Sequence, residues 1–118
     1  MRIVIIEDDK DVASFLELVV QNLGYETAVS YNGKSGLSLI KKTSPDLILL
    51  DLHLPEINGD EILRLVRADD ELYSVPVIVL TGESYMLKPE VEEQANFTLV
   101  KPIDVRVLSR LISQIDQA

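Results

Sequence analysis

Short apolar runs recur along the chain at residues 3–6 (Ile-Val-Ile-Ile), 47–50 (Leu-Ile-Leu-Leu) and 77–80 (Val-Ile-Val-Leu), with amphipathic stretches between them. Runs of this length predict strands buried on both faces, whereas apolar residues spaced three and four apart predict helices with one inward side. Asp9 or Asp11 can cap a first helix carrying Val12, Leu16, Val19, Val20 and Leu23, which Gly24 ends in the left-handed conformation. Residues 25–30 then fit a second strand. Asn32-Gly33 opens a helix with Leu37 and Ile40 inward, and Ser44-Pro45 closes it. The run at 47–50 is the expected centre of the sheet. A loop with Pro55 and Gly59 leads to a helix built on Ile62, Leu63 and Val66, and the strand at 77–80 follows. Residues 82–96 are the least regular part of the chain. Pro89 suits the first turn of a short helix in which Val91 and Ala95 share a face. A strand at 97–100 and a last helix, capped by Asp104 with Leu108, Leu111, Ile112 and Ile115 inward, complete the pattern. The fold class is α/β: a doubly wound five-stranded parallel sheet flanked by five helices.

Length and composition narrow this further. The 118 residues make one domain, 1–118, and 47% hydrophobic content is enough to bury a core, which excludes an acidic disordered chain. With 20 acidic against 11 basic side chains the net charge is −9, so the domain should bind neither nucleic acid nor membranes electrostatically. There is no cysteine, which removes disulfides, thiolate metal sites and cysteine nucleophiles together. No apolar run approaches signal-peptide or membrane-spanning length, so a cytoplasmic protein is expected.

In a doubly wound sheet the ligand lies outside the carboxyl ends of the strands. The first strand ends at Glu7-Asp8-Asp9, the third at Asp51, the fourth at Thr81 and the fifth at Lys101-Pro102. Taken singly, these residues read as helix caps, a turn hydroxyl and a surface lysine; His53, the one histidine, reads as a loop residue. Together they gather carboxylates, a hydroxyl and an ammonium at one edge. Converging carboxylates call for a hard divalent cation such as Mg²⁺, which takes oxygen ligands and keeps several waters. A carboxylate beside Mg²⁺, with a lysine and a hydroxyl around it, is equipment for phosphoryl transfer onto Asp51 as nucleophile.

The segments carrying these residues resemble the receiver domain of two-component response regulators over essentially the whole chain. The matching stretches run from Ile3 through Glu7-Asp8-Asp9, from Pro45 through Asp51, His53 and Pro55 to Gly59, from Pro76 through Thr81-Gly82, and over Val100-Lys101-Pro102. The resemblance implies a flavodoxin-like strand order 2-1-3-4-5. It implies Asp51 as phosphoacceptor from a histidine kinase or histidine phosphotransfer protein. Asp8 is then a direct Mg²⁺ ligand and Glu7 one through water, completed by Asp51 and the backbone carbonyl of His53. Thr81 and Lys101 would meet the phosphoryl oxygens, and Lys101-Pro102 would be a cis peptide. The family is a signalling phosphoacceptor, not an enzyme with an external substrate. Its switch moves the threonine and rearranges the face of the fourth helix, fifth strand and fifth helix, which would address a downstream target protein, a missing effector domain or a homodimer partner.

Two departures bear on that switch. The family usually carries Tyr or Phe three positions before the lysine, where this chain has Thr98, and Phe97 stands one place earlier. An offset of one residue in a strand turns a side chain to the opposite face, so Phe97 is no substitute, and coupling of Thr81 to an aromatic ring should be weakened. The interval from Thr81 to Lys101 is also shorter than usual, with Ala95-Asn96 in place of Gly-Ala. His53 is expected to tune dephosphorylation. Two alternatives stand beside this reading. One is a degenerate receiver that binds protein without phosphorylation. The other is a haloacid-dehalogenase-like phosphatase, which wants a carboxylate where His53 stands and a longer chain.

Overall fold

The computed structural model describes residues 1–82 and 87–118. Five strands alternate with five helices: β1 (Arg2–Ile6), α1 (Lys10–Asn22), β2 (Glu26–Ser30), α2 (Gly33–Thr43), β3 (Leu47–Asp51), α3 (Gly59–Ala68), β4 (Val77–Thr81), α4 (Pro89–Gln94), β5 (Phe97–Val100) and α5 (Val105–Gln117). The sheet is wholly parallel with order β2-β1-β3-β4-β5, as the resemblance implies. β1, β3 and β4 lie inside it, and β3 and β4 are buried at every position. That is why these strands read as unbroken apolar runs rather than as alternation.

Strand alternation sorts the core into two layers. Val4, Ile6, Ile48, Leu50, Val77 and Val79 point to one face, where Ile40 of α2, Ile62, Leu63 and Val66 of α3, and Val91 of α4 cover them. Ile3, Ile5, Leu47, Leu49, Ile78 and Leu80 point to the other, under Leu16 and Val20 of α1 and Leu108 and Ile112 of α5. Each such fully buried side chain contributes about 1.5–3 kcal/mol relative to exposure.

The helix ends follow the capping chemistry. Asp9, not Asp11, caps α1, its Oδ1 accepting from the amides of Asp11 and Val12 at 2.9 and 3.2 Å. Gly24 follows with φ +92°, and Asn32 caps α2 through Ser35. Asp104 caps α5, accepting from the Arg106 amide. Ser44 ends α2 in the left-handed region at φ 49°.

Some inward assignments shift. Leu23 is exposed, because α1 ends at Asn22 and the chain turns away before Leu23 can reach the sheet. On α2 it is Leu39 that packs beside Ile40, with Leu37 only half-buried. Gly36 takes the innermost position because a Cβ there would strike the Ile6 side chain at 2.8 Å. Gly33 has a similar reason that no helix-start rule contains: its missing Cβ leaves room for the Ile57 backbone carbonyl, and its amide donates to Pro55 O at 3.2 Å. The expected irregular segment 82–96 resolves partly into α4, beginning at Pro89, while 83–86 lie outside the described residues.

Candidate functional site

The same alternation that sorts the core builds the site. Glu7 continues the parity of Ile3 and Ile5, Asp51 that of Leu47 and Leu49, and Lys101 that of Phe97 and Leu99. Three strands thereby deliver two carboxylates and one ammonium to one side of the carboxyl edge. Thr81 continues the parity of Val77 and Val79 and belongs to the other side.

Glu7 has no exposed surface and Asp51 only 2%. Lys101 Nζ lies 2.6 Å from Glu7 Oε1 and 3.5 Å from Asp51 Oδ2. The Asp9 amide donates to Glu7 Oε2 at 3.1 Å, and the His53 amide donates to Asp51 Oδ1 at 3.2 Å. Asp8 is exposed, yet one carboxylate oxygen from each of Glu7, Asp8 and Asp51 falls within 4.8 Å of the others. Burial, helped by Asp51 beside it, raises the Glu7 carboxyl from 4.5 to about 7 against the pull of Lys101 and the Asp9 amide. Burial raises Asp51 as well, opposed by its bonding to Glu7 and the His53 amide and by the Lys101 charge. On Lys101, burial acts to lower the pKa, but its contacts with Glu7 and Asp51 prevail and raise it.

One lysine therefore balances two buried carboxylates, with a third at the surface. Glu7 Oε1, although buried and close to Lys101, accepts no well-directed hydrogen bond. A donor set of hard carboxylate oxygens with a buried lone pair still unmatched fits a small divalent cation such as Mg²⁺.

Of the residues singled out in the sequence, Glu7, Asp8, Asp51 and Lys101 meet directly. Thr81 and His53 line an adjoining cleft of about 240 Å³ between β4, α3 and α4, with Leu52, Asn58, Asp60, Leu87, Lys88 and Val91. The His53 side chain is exposed; its backbone amide holds Asp51. The Lys101-Pro102 peptide is cis. Phe97 packs into the layer under α1 and α5, so the one ring of β5 lies on the face opposite Thr81. Thr98, paired in register with Val79, occupies the near side.

Three features escaped the sequence. Asp9 braces Glu7 as well as capping α1; the run of three acidic residues was the available signal. Gly59 lies so close under β3 that a Cβ would collide with the Asp51 carbonyl oxygen and stand 2.7 Å from Leu52 Cα. Asp60 and Lys88 pair at 3.1 Å across the cleft mouth. They are 28 positions apart, and nothing in the sequence links them.

Comparison with known proteins agrees with this architecture. The response regulator receiver domain family model matches residues 3–113. The chain is 38% identical over 109 residues to response regulator ArlR of Staphylococcus saprophyticus, covering 91% of this chain and 48% of that protein. It thus spans about half the length of that curated relative. Among solved structures, a putative response regulator from Chloroflexus aurantiacus superposes with TM-score 0.90 at 32% identity, covering 99% of this chain and 98% of that one. The receiver domain of a sensor histidine kinase from Pseudomonas aeruginosa, which carries a magnesium ion coordinated in its active-site cleft, superposes with TM-score 0.91 at 25% identity, covering 99% and 98%. Matched along nearly its whole length in sequence and in fold, the chain belongs to the receiver domains of the response regulators of two-component systems.

Proposed function

We propose that residues 1–118 form one phosphoacceptor domain, which takes a phosphoryl group onto Asp51 from the phosphohistidine of a histidine kinase or phosphotransfer protein in the cytoplasm. The observation that carries this reading is the convergence of Glu7, Asp8 and Asp51 within 4.8 Å, with Lys101 beside Glu7 and Asp51, at the carboxyl edge of a parallel sheet. Little else in the chain offers covalent chemistry of this kind.

Glu7, Asp8 and Asp51 would hold Mg²⁺ with the carbonyl of His53, and the ion when bound supplies charge neutralisation for the transferring oxygens. The protein's own residues do the rest. The His53 amide, donating to Oδ1, holds the rotation of the Asp51 carboxylate and leaves Oδ2 on the Lys101 side. An Asp51 oxygen forms the new P–O bond as the P–N bond of the donor breaks, and the leaving imidazole keeps the electron pair and takes a proton from solvent. Lys101, half withdrawn from water and ion-paired with Glu7, is within a short swing of Asp51 and would pair with a phosphoryl oxygen. Thr81 would donate its hydroxyl to another oxygen, approaching from the cleft side of β4. The His53 imidazole, exposed at the same cleft, would set how readily water attacks the aspartyl phosphate. The face of α4, β5 and α5 would carry the change to a target protein, an effector domain or a second copy. With Phe97 turned away, that response would run without a ring from β5 behind Thr81.

Intact-mass measurement after incubation with acetyl phosphate and Mg²⁺ tests the reading. Wild type should gain the mass of one phosphoryl group and Asp51→Asn none. An unmodified wild type would overturn it and favour a receiver that binds partners without phosphorylation.

A further inference from the structure

The two ends of α4 are held in very different ways, and the difference bears on how a change at Asp51 could travel. At its carboxyl end, Arg67 reaches over from the last turn of α3. Its Nε donates to the carbonyl of Gln94, the last residue of α4, at 2.8 Å, and Nη2 donates to Asn96 Oδ1 at 2.9 Å. Nη1 donates to the carbonyls of Tyr73 and Val75 at 3.0 and 2.7 Å in the connection leading to β4. Asn96 is held in turn: its Oδ1 also accepts from the Val77 amide at 2.8 Å, and its own amide donates to Val77 O at 2.9 Å. A carbonyl that the helix leaves unmatched at its end is thus taken by a guanidinium with four acceptors, one of them the Asn96 side chain that is tied to the first residue of β4. Burial of the guanidinium lowers the Arg67 pKa.

The amino end of α4 has no comparable anchor among the described residues. Its cap, Lys88, makes no capping hydrogen bond from its side chain, and it meets Asp60 through an ion pair whose lysine side chain is 67% exposed. Such pairs hold weakly and are screened by salt. This end, held by the packing of Leu87 and Val91 rather than by a charged anchor, is also the one that lines the cleft with Thr81 and His53.

We propose that Arg67 is a pivot: it fixes the carboxyl end of α4 to the start of β4 and β5, so that occupancy of the Asp51 site moves α4 by its amino end alone. Arg67 is a positioning residue in this scheme and touches nothing at the phosphorylation site. The movement part of the inference rests on the phosphoacceptor reading above; the anchoring part does not.

Hydrogen–deuterium exchange followed by mass spectrometry separates the two. Peptides over 87–91 and 92–97 are compared in wild type, Arg67→Gln and Arg67→Lys, each without ligand and with MgCl₂ plus beryllium fluoride as phosphoryl mimic. Circular dichroism confirms that each variant is folded. Without ligand, Arg67→Gln should exchange about tenfold faster over 92–97, the scale of one charge-assisted hydrogen bond lost, with 87–91 unchanged. Arg67→Lys should fall between, since one ammonium cannot reach all four acceptors. With the mimic, wild type should change over 87–91 and not over 92–97, and Arg67→Gln should change over both. Unaltered exchange over 92–97 in unliganded Arg67→Gln overturns the anchor, and equal mimic-induced change at both ends of wild-type α4 overturns the pivot. If the mimic alters nothing in peptides containing Asp51, the phosphoacceptor reading fails, while the unliganded comparison still decides the anchor. Should Arg67→Gln not fold, Arg67→Lys and Asn96→Ala give the same unliganded comparison.

Discussion

Replacing Glu7 by glutamine should make the metal-free domain more stable above neutral pH, although it removes an ion pair. Glu7 is completely buried, and its pKa rises from 4.5 to about 7 because ionising it there forfeits solvation that Lys101 only partly replaces. A carboxyl whose folded pKa lies above its unfolded value binds its proton more tightly in the native state. Its contribution is therefore fully present below about pH 4.5 and is lost as pH rises through about 7. Asp51, raised in the same direction by burial, adds to the trend with the same sign. For Glu7 the rise corresponds to about 3 kcal/mol by pH 8, at about 1.4 kcal/mol per tenfold change in proton affinity. Against this, the Glu7→Gln substitution would leave Lys101 with Asp51 alone at 3.5 Å, a partly exposed contact worth about 1 kcal/mol at most to compensate. The net expectation is a gain of about 2 kcal/mol at pH 8, or about 8 °C in Tm for a chain of this size, shrinking to nothing near pH 5. Urea and thermal unfolding of wild type and Glu7→Gln in EDTA, at pH 5 and pH 8, give the difference directly; the general effect of the net −9 charge is nearly common to both proteins and largely cancels. Added Mg²⁺ should raise wild-type Tm at pH 8 and narrow the gap, because it binds the folded acidic cluster. A Glu7→Gln variant that is less stable than wild type at pH 8 in EDTA would refute the reasoning. So would a difference between the two proteins that is independent of pH.

Three further outcomes follow from the same geometry. Gly59→Ala places a methyl against the carbonyl of Asp51 and Leu52 Cα, backbone atoms that cannot step aside, and should cost about 2–4 kcal/mol in urea unfolding; a loss under about 1 kcal/mol would show that the close approach relaxes freely. His53→Ala, at an exposed position, should leave stability within about 0.5 kcal/mol and change the lifetime of the phosphorylated form measured by intact mass; an identical lifetime would exclude the imidazole from the site's chemistry. Phe97→Ala should lower stability by about 2 kcal/mol yet leave the extent of acetyl phosphate labelling unaltered, since the ring packs under α1 and α5; loss of labelling in folded protein would contradict that placement.

The chemistry of the site was open to reading because strand periodicity carries it. Once residues 3–6, 47–50 and 77–80 are strands of one parallel sheet, Glu7, Asp51 and Thr81 must leave it at the same edge, and Lys101 follows the last strand in the same sense. Parity alone also assigned Phe97 and Thr98 to opposite faces, and the structure bears this out. What periodicity could not supply was any contact between segments lacking a shared pattern. Gly33 looked like a helix-opening residue, yet its missing side chain makes room for the loop after β3. Arg67 belongs to no pattern in the sequence, and it ties α3 to the end of α4 and to Asn96 just before β5.

The order of apolar runs and amphipathic stretches by itself determined the alternating α/β architecture, because burial on both faces and burial on one stripe leave different periods in a chain. It determined as well which acidic and basic residues stand at strand ends. Only the tertiary structure decided that Glu7 is wholly buried while the adjacent Asp8 is exposed. Only there does Thr81 face the cleft rather than the carboxylates, and only there are the two ends of α4 unequally held. Burial depth and hydrogen-bond partnership depend on what another segment brings to within a few ångströms, and a one-dimensional pattern contains no such distance.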